Sequence, residues 1–175
     1  MHRVFRISSV PALIAALGYG APLSAQDAAR QACSAPQHRQ FDFWVGEWDV
    51  VNAAGQPAGR NRITSELGGC VLREQWAGAG GSHGSSFNIY DAAADRWHQT
   101  WVDDNGLLLL LDGGVQADGS MVMEGERPAR GGGTARHRIT WTPRNAATVR
   151  QLWEVSSDDG STWSVVFDGT YHRIE

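Results

Sequence analysis

From residue 46 onward, turn chemistry recurs at short intervals between strand-patterned stretches, with no helix-length interruption. Asn52 to Pro57, Gly68-Gly69, Gly78 to Gly84, Ala92 to Asp95, Asn105-Gly106, Asp118-Gly119, Arg130 to Thr134, Arg144 to Ala147 and Asp158 to Ser161 are all turn or loop sequences. Asn-Gly and Asp-Gly between alternating apolar residues are the strongest short-range hairpin signals. Nine sequential turns define ten strands. Such a meander predicts an all-β protein, an up-and-down antiparallel β-barrel of about ten strands, because closure removes the edges that an open sheet exposes. Twenty-one Gly and eight Trp suit many tight turns and a lumen filled by large rings.

Ahead of the strands, Phe41-Asp42-Phe43-Trp44-Val45-Gly46-Glu47-Trp48 places four aromatics within eight residues. Ser34-Ala35-Pro36-Gln37 reads as a helix start, with Ser at the cap, Pro in the first turn and Gln placed for a capping box. A helix of about two turns would end near Val45-Gly46. Phe41 and Trp44, three apart, would share a face and close one end of the barrel.

Turn lengths set the strand registers, and opposed residues share a face. A two-residue Gly68-Gly69 turn pairs Ser65 with Leu72, Ile63 with Glu74 and Asn61 with Trp76. A four-residue turn at Ala92 to Asp95 pairs Tyr90 with Trp97, Asn88 with Gln99 and Ser86 with Trp101. Asn105-Gly106 as a two-residue turn pairs Trp101 with Leu110 and Gln99 with Asp112. Asp118-Gly119 pairs Gly114 with Met123, Asp112 with Gly125 and Leu110 with Arg127. In the last hairpin Val155 opposes Trp163. One face then collects Trp48, Val50, Ile63, Leu72, Trp76, Tyr90, Trp97, Trp101, Leu108, Leu110, Met121, Met123, Trp153, Trp163, Val165 and Phe167. The other collects Arg60, Arg62, Glu66, Arg73, Glu124 and Glu126, with Phe87, Ile89 and Val102 as apolar exceptions. The aromatic face is the expected lumen.

That lumen also receives Asn61, Ser65, Glu74, Ser86, Asn88, Gln99, Asp112, Arg127, His137 and Gln151. So many buried polar groups need partners in one another, in water or in a ligand. A barrel of this size holds one small molecule, and aromatic walls with a few convergent polar groups are the chemistry of a small-molecule site. The expected ligand-binding residues are Asn61, Glu74, Trp76, Asn88, Tyr90, Trp97, Gln99, Trp101, Asp112, Arg127, His137, Gln151 and Trp153. The alternative is a polar lumen whose groups satisfy only each other.

Residues 1–25 read as a secretory signal: Arg3 and Arg6, a short apolar run from Ile7 to Leu17, and a small residue at Ala25. The run is too short to span a membrane. Residues 26–35 read as a flexible arm and 36–175 as a single barrel domain. Two cysteines, Cys33 and Cys70, in an exported chain suit a disulfide tying the arm to the second hairpin. The chain has 15 Arg, no Lys and a formal net charge of −4, which is no footprint for nucleic acid. The sequence does not define the oligomeric state.

FDFWVGEWDV (41–50), GGCVLREQWAG (68–78), SFNIYD (86–91), RWHQTWVDDNG (96–106) and HRITWTP (137–143) together resemble the bacterial domain of unknown function 1579 family. The resemblance spans nearly all of the expected mature chain. That family is similar to the calycin superfamily of lipocalins, fatty-acid-binding proteins and nitrobindins, which implies a barrel with an interior ligand site and supplies no established substrate.

Three functional classes follow. The first is an exported barrel binding a small hydrophobic or amphipathic ligand, in which Arg127 would pair with an acidic head group, with Asp112 or with Glu74. The second is haem binding, which needs a proximal histidine. His137 is the better-placed candidate, since alternation through Phe167 and Tyr171 turns His172 outward. The third is an enzyme using Glu74, Asp112 and His137 as acid and base groups. No GxSxG, HExxH or phosphate loop supports it. The glycine-rich stretch Gly78 to Gly84 precedes a strand and reads as a loop at the barrel mouth. No metal set and no required cofactor emerge.

Overall fold

A computed structural model describes residues 33–129 and 131–174. The nine expected turn regions separate ten strands: β1 (Gly46–Asn52), β2 (Pro57–Glu66), β3 (Val71–Gly78), β4 (His83–Asp91), β5 (Arg96–Asp103), β6 (Leu108–Val115), β7 (Met121–Pro128), β8 (Thr134–Asn145), β9 (Thr148–Ser156) and β10 (Ser164–Arg173). Each pairs antiparallel with its sequence neighbours, and β1 pairs with β10 to close the barrel. No helix among the described residues is long and apolar enough to cross a membrane. The expected signal at 1–25 and most of the 26–35 arm lie outside the described residues.

The segment before β1 departs from the expected helix. It forms two separate 3₁₀ turns, Pro36–Arg39 and Asp42–Trp44, and the first is capped by Ala35 without a side-chain hydrogen bond. In 3₁₀ geometry residues three apart eclipse one another, which stacks Phe41 on Trp44 with centroids 4.9 Å apart. Both rings are fully buried. Phe41 packs edge-on against Trp97 and Trp141, and Trp44 meets Trp141 and Tyr171. The Trp48 indole N–H donates to the Trp44 carbonyl at 2.9 Å, which docks this aromatic plug onto β1. Cys33 and Cys70 are disulfide-bonded, fastening the plug's leading end to the β2–β3 turn. Arg39 donates to the Gly69 carbonyl beside it.

The registers across Gly68-Gly69 and Ala92 to Asp95 are as expected. Phe87, Ile89 and Val102 do stand outside. Strand β6 is inverted relative to expectation. Trp101 pairs with Leu109, Gln99 with Leu111 and His98 with Asp112. The loop is three residues long, not two. Asp103 Oδ1 accepts from the backbone N–H of Asn105 and Leu107 at 2.9 and 3.0 Å, the Asp103 N–H donates to the Leu107 carbonyl, and Gly106 takes φ +76°. The added residue turns β6 over: Leu109 and Leu111 are 1% and 0% exposed, Leu108 and Leu110 50% and 49%. Asp112 therefore stands on the outer wall, bonded to His98 at 2.9 Å. The next hairpin also has a three-residue loop, with Gln116 bonded to Ser120 and Gly119 at φ +82°. Gly113 pairs with Met123 in place of Gly114. The two one-residue shifts cancel, so Met121 and Met123 return to the core.

A bulge between Val165 and Phe167 changes the last hairpin as well. Val165 is exposed, while Phe167 and Tyr171 keep their inward direction and His172 faces out. Trp163, expected inside, lies on the outer wall beneath the Arg138 guanidinium, 4.0 Å from its ring. Arg138 itself pairs outside with Glu154 at 2.9 Å. Ser65 is exposed at the end of β2 rather than buried in the lumen.

Candidate functional site

The plug occupies the barrel end that carries the β2–β3, β4–β5, β6–β7 and β8–β9 turns. At the opposite end a cavity of about 200 Å³ opens between the strands. Trp76 near the end of β3, Trp101 near the end of β5, Trp153 on β9 and Phe167 at the start of β10 form its walls. Glu74, Gln99, Gln151 and Tyr171, one step deeper, form its floor. Leu109, Ile139 and Val166 complete the lining.

Two glycines make room for the wall rings. A Cβ on Gly84 would stand 2.2 Å from Trp101 Cζ2, and one on Gly59 would stand 2.7 Å from Trp76 Cη2. Each indole lies over the bare backbone of the adjacent strand, a ring-over-glycine arrangement that also covers the exposed peptide. Phe167 meets Trp76 edge-on at 5.9 Å.

Glu74 is the chemical centre of the floor. It is 3% exposed. Asn61 Nδ2 donates to its Oε1 at 2.7 Å, and Ser86 Oγ donates to its Oε2 at 2.6 Å. Asn88 Nδ2 donates to Ser86 Oγ at 2.9 Å and to the Leu72 carbonyl at 3.1 Å. That carbonyl can only accept, so it fixes the Asn88 amide and leaves Asn88 Oδ1 to take Gln99 Nε2 at 2.8 Å. On the other side Asn61 Nδ2 also reaches Tyr171 Oη at 3.3 Å, and the Tyr171 hydroxyl donates to Gln151 Oε1. A continuous polar chain thus crosses the floor from Gln99 to Gln151. It is held by alternation on β2, β3, β4, β5, β9 and β10.

Burial pushes the Glu74 carboxyl up to about 7, against the opposing pull of the Ser86 and Asn61 hydrogen bonds. Burial, and then the neighbouring Glu74 charge, raise Tyr171 well above the ordinary phenol range, so it stays neutral. No basic side chain pairs with Glu74 among the described residues.

Six of the expected residues line this cavity: Glu74, Trp76, Gln99, Trp101, Gln151 and Trp153. Asn61 and Asn88 stand behind them as hydrogen-bond partners of the floor. Tyr90 and Trp97 belong to the plugged end, where Tyr90 meets His38 and Trp97 meets Phe41. Asp112 is removed from the site by the β6 inversion. His137 is buried, but it stands behind Trp153, whose indole N–H donates to His137 Nδ1 at 3.1 Å. Burial and then the charge of Arg127 lower the His137 pKa, which keeps the ring neutral. Arg127 is half-buried and lies beyond the cavity lining; neither Asp112 nor Glu74 pairs with it. The acid–base set Glu74, Asp112 and His137 is therefore not assembled.

The chain matches no protein-family model, and no curated protein matches it.

Leu109, Ile139, Val166, Phe167 and Tyr171 were not among the expected ligand contacts. Tyr171 and Phe167 carried the right inward alternation. Leu109 was hidden by the register of β6, and its signal was the Asp103 side chain at the head of the Asp-Asn-Gly turn.

Proposed function

We propose that this protein is an exported binding barrel that holds one small, largely apolar molecule in the cavity above Glu74. The observation that carries the reading is the asymmetry of the lumen. One end is filled by Phe41 and Trp44, and the other is left open, lined by aromatic rings over a hydrogen-bonded polar floor in which the buried Asn61 Oδ1 has no partner among the described residues. A core built only for stability would be packed through.

Size narrows the ligand. An apolar cavity of roughly 150 Å³ accommodates benzene, so about 200 Å³ suits a one-ring molecule with a short substituent. A haem macrocycle needs more room, and His137, the candidate iron ligand, accepts the Trp153 indole N–H at Nδ1, which leaves the proton of the neutral ring on Nε2. Acid–base catalysis would have to rely on Glu74 alone, since Asp112 is on the outer wall. The Cys33–Cys70 disulfide and the signal-like residues 1–25 favour an oxidising compartment outside the cytoplasm. The barrel is in keeping with the calycin-like resemblance at the level of architecture.

Trp76, Trp101 and Trp153 are intrinsic reporters of occupancy. Titration with neutral one-ring compounds such as 2-phenylethanol should change tryptophan fluorescence saturably. An unchanged spectrum up to millimolar probe would refute a ligand site in this cavity.

A further inference from the structure

We infer that the ligand is an organic cation: a protonated amine on a one-ring apolar body, seated with its charge against Glu74 and its body between the indoles. The inference rests on the binding-barrel reading and specifies its ligand class.

The floor presents two conflicting demands. Its hydrogen bonds are arranged for an ionised carboxylate. Ser86 Oγ accepts from Asn88, whose orientation the Leu72 carbonyl fixes, so the Ser86 proton points at Glu74 Oε2. Asn61 Nδ2 points at Oε1. A proton on Oε2 would face the Ser86 donor, and one on Oε1 would face Asn61 Nδ2, whose amide would have to turn its unpartnered Oδ1 inward to accept it. Yet the carboxylate is buried, and both partners are neutral. An isolated buried charge is costly without a counter-charge. Tyr171, the titratable group beside it, stays neutral, and neither His137 nor Arg127 lines the cavity. A cationic ligand group supplies the missing charge.

The walls fit the same ligand. Trp76 and Trp101 lie over Gly59 and Gly84, and Trp153 and Phe167 complete a ring of aromatic side chains above the carboxylate. Indole is the best of the side-chain rings for holding a cation at its face. The carbonyl end of Gln99, whose amide nitrogen is committed to Asn88, adds an acceptor for an ammonium N–H and nothing that an anion would prefer.

The test compares three probes that share a phenyl ring and a short tether: 2-phenylethylammonium, 2-phenylethanol and 3-phenylpropanoate. With oxidised protein near pH 8, the ammonium should bind at least about tenfold more tightly than the alcohol, and the carboxylate most weakly. Lowering the pH through about 7 should erase the ammonium's advantage as Glu74 takes up a proton, while the alcohol's affinity stays level. Glu74→Gln should bring the ammonium to the alcohol's affinity. Equal affinities or tightest binding of the alcohol would overturn the cationic ligand, an ammonium preference that survives both low pH and Glu74→Gln would overturn its seating against Glu74, and each would leave the cavity reading standing. Tightest binding of 3-phenylpropanoate would likewise overturn the cationic ligand and leave the cavity reading standing. No response to any probe would overturn both.

Discussion

Replacing Glu74 by glutamine should reverse the sign of its effect on stability between mildly acidic and mildly basic pH. The carboxyl titrates at 4.5 in its ordinary state and at about 7 in the folded barrel, because burial disfavours the charged form. The folded state therefore holds this proton more tightly than the unfolded chain does. The associated stability is fully present below 4.5, declines as pH rises, and is lost once pH passes about 7. At 1.36 kcal/mol per pH unit of displacement, the loss is about 3 kcal/mol. Glutamine carries no such charge. A protonated carboxyl can still accept a hydrogen bond at its hydroxyl oxygen, whereas the glutamine NH₂ accepts none and must face either the Asn61 or the Ser86 donor, a difference worth about 1 kcal/mol. The variant should thus be about 1 kcal/mol less stable than wild type near pH 4.5 and about 2 kcal/mol more stable near pH 8. Urea unfolding of both proteins across this range, disulfide intact and followed by tryptophan fluorescence, measures the difference. All other titrating groups are common to the pair, so the difference isolates Glu74. A stability difference that stays flat from pH 4.5 to 8 would show that Glu74 is solvated or already neutralised by a cation, and would refute the reasoning.

Three further outcomes are expected. Gly84→Ala places a methyl where Trp101 now lies, 2.2 Å from Cζ2, so the ring must swing into the cavity. Probe binding should fall more than about tenfold, with a stability loss of about 1–3 kcal/mol typical of overpacking, readable in parallel titration and melting. Cys33→Ser frees a loop with a sequence separation of 37. It should cost at most about 4 kcal/mol by loop entropy, and the wild-type protein should show no thiol reactive to maleimide without reductant. Leu111→Ser should lower stability by roughly 2–5 kcal/mol, while Leu110→Ser, one position away on the outer wall, should stay within about 0.5 kcal/mol. Equal effects of the two substitutions would restore the alternative register of β6.

Much of the site was legible because the code for it is local. The alternation Leu72, Glu74, Trp76 and the Gly68-Gly69 turn placed Glu74 inside opposite Ile63, and the structure has it there. Ser86, Asn88 and Gln99 followed from the four-residue turn at Ala92 to Asp95 in the same way. On β6, what failed was the length of two loops, and on β10 it was the bulge, which misplaced Trp163 and Val165. Asn-Gly and Asp-Gly name a turn, but whether two or three residues lie in it depends on which backbone groups the preceding residue captures. Asp103 captures two N–H groups and makes the longer loop. One residue then exchanged Leu108, Leu110 and Asp112 for Leu109 and Leu111.

By itself, the sequence determined the strand count, most inward faces, the aromatic plug and a carboxylate in the lumen, because period-two alternation and turn chemistry act between near neighbours. Only the tertiary structure decided the rest. Alternation assigns a face but carries no information about depth along the barrel. Depth depends on strand tilt and on the pairing of β1 with β10, which joins Trp48 to Arg173 across nearly the whole chain. That closure sets Trp97 and Trp141 under the plug as packing, and leaves Trp76, Trp101 and Trp153 around an open space. It also brings Tyr171 from the last strand against Asn61 of the second, completing a polar floor that no single stretch of sequence contains.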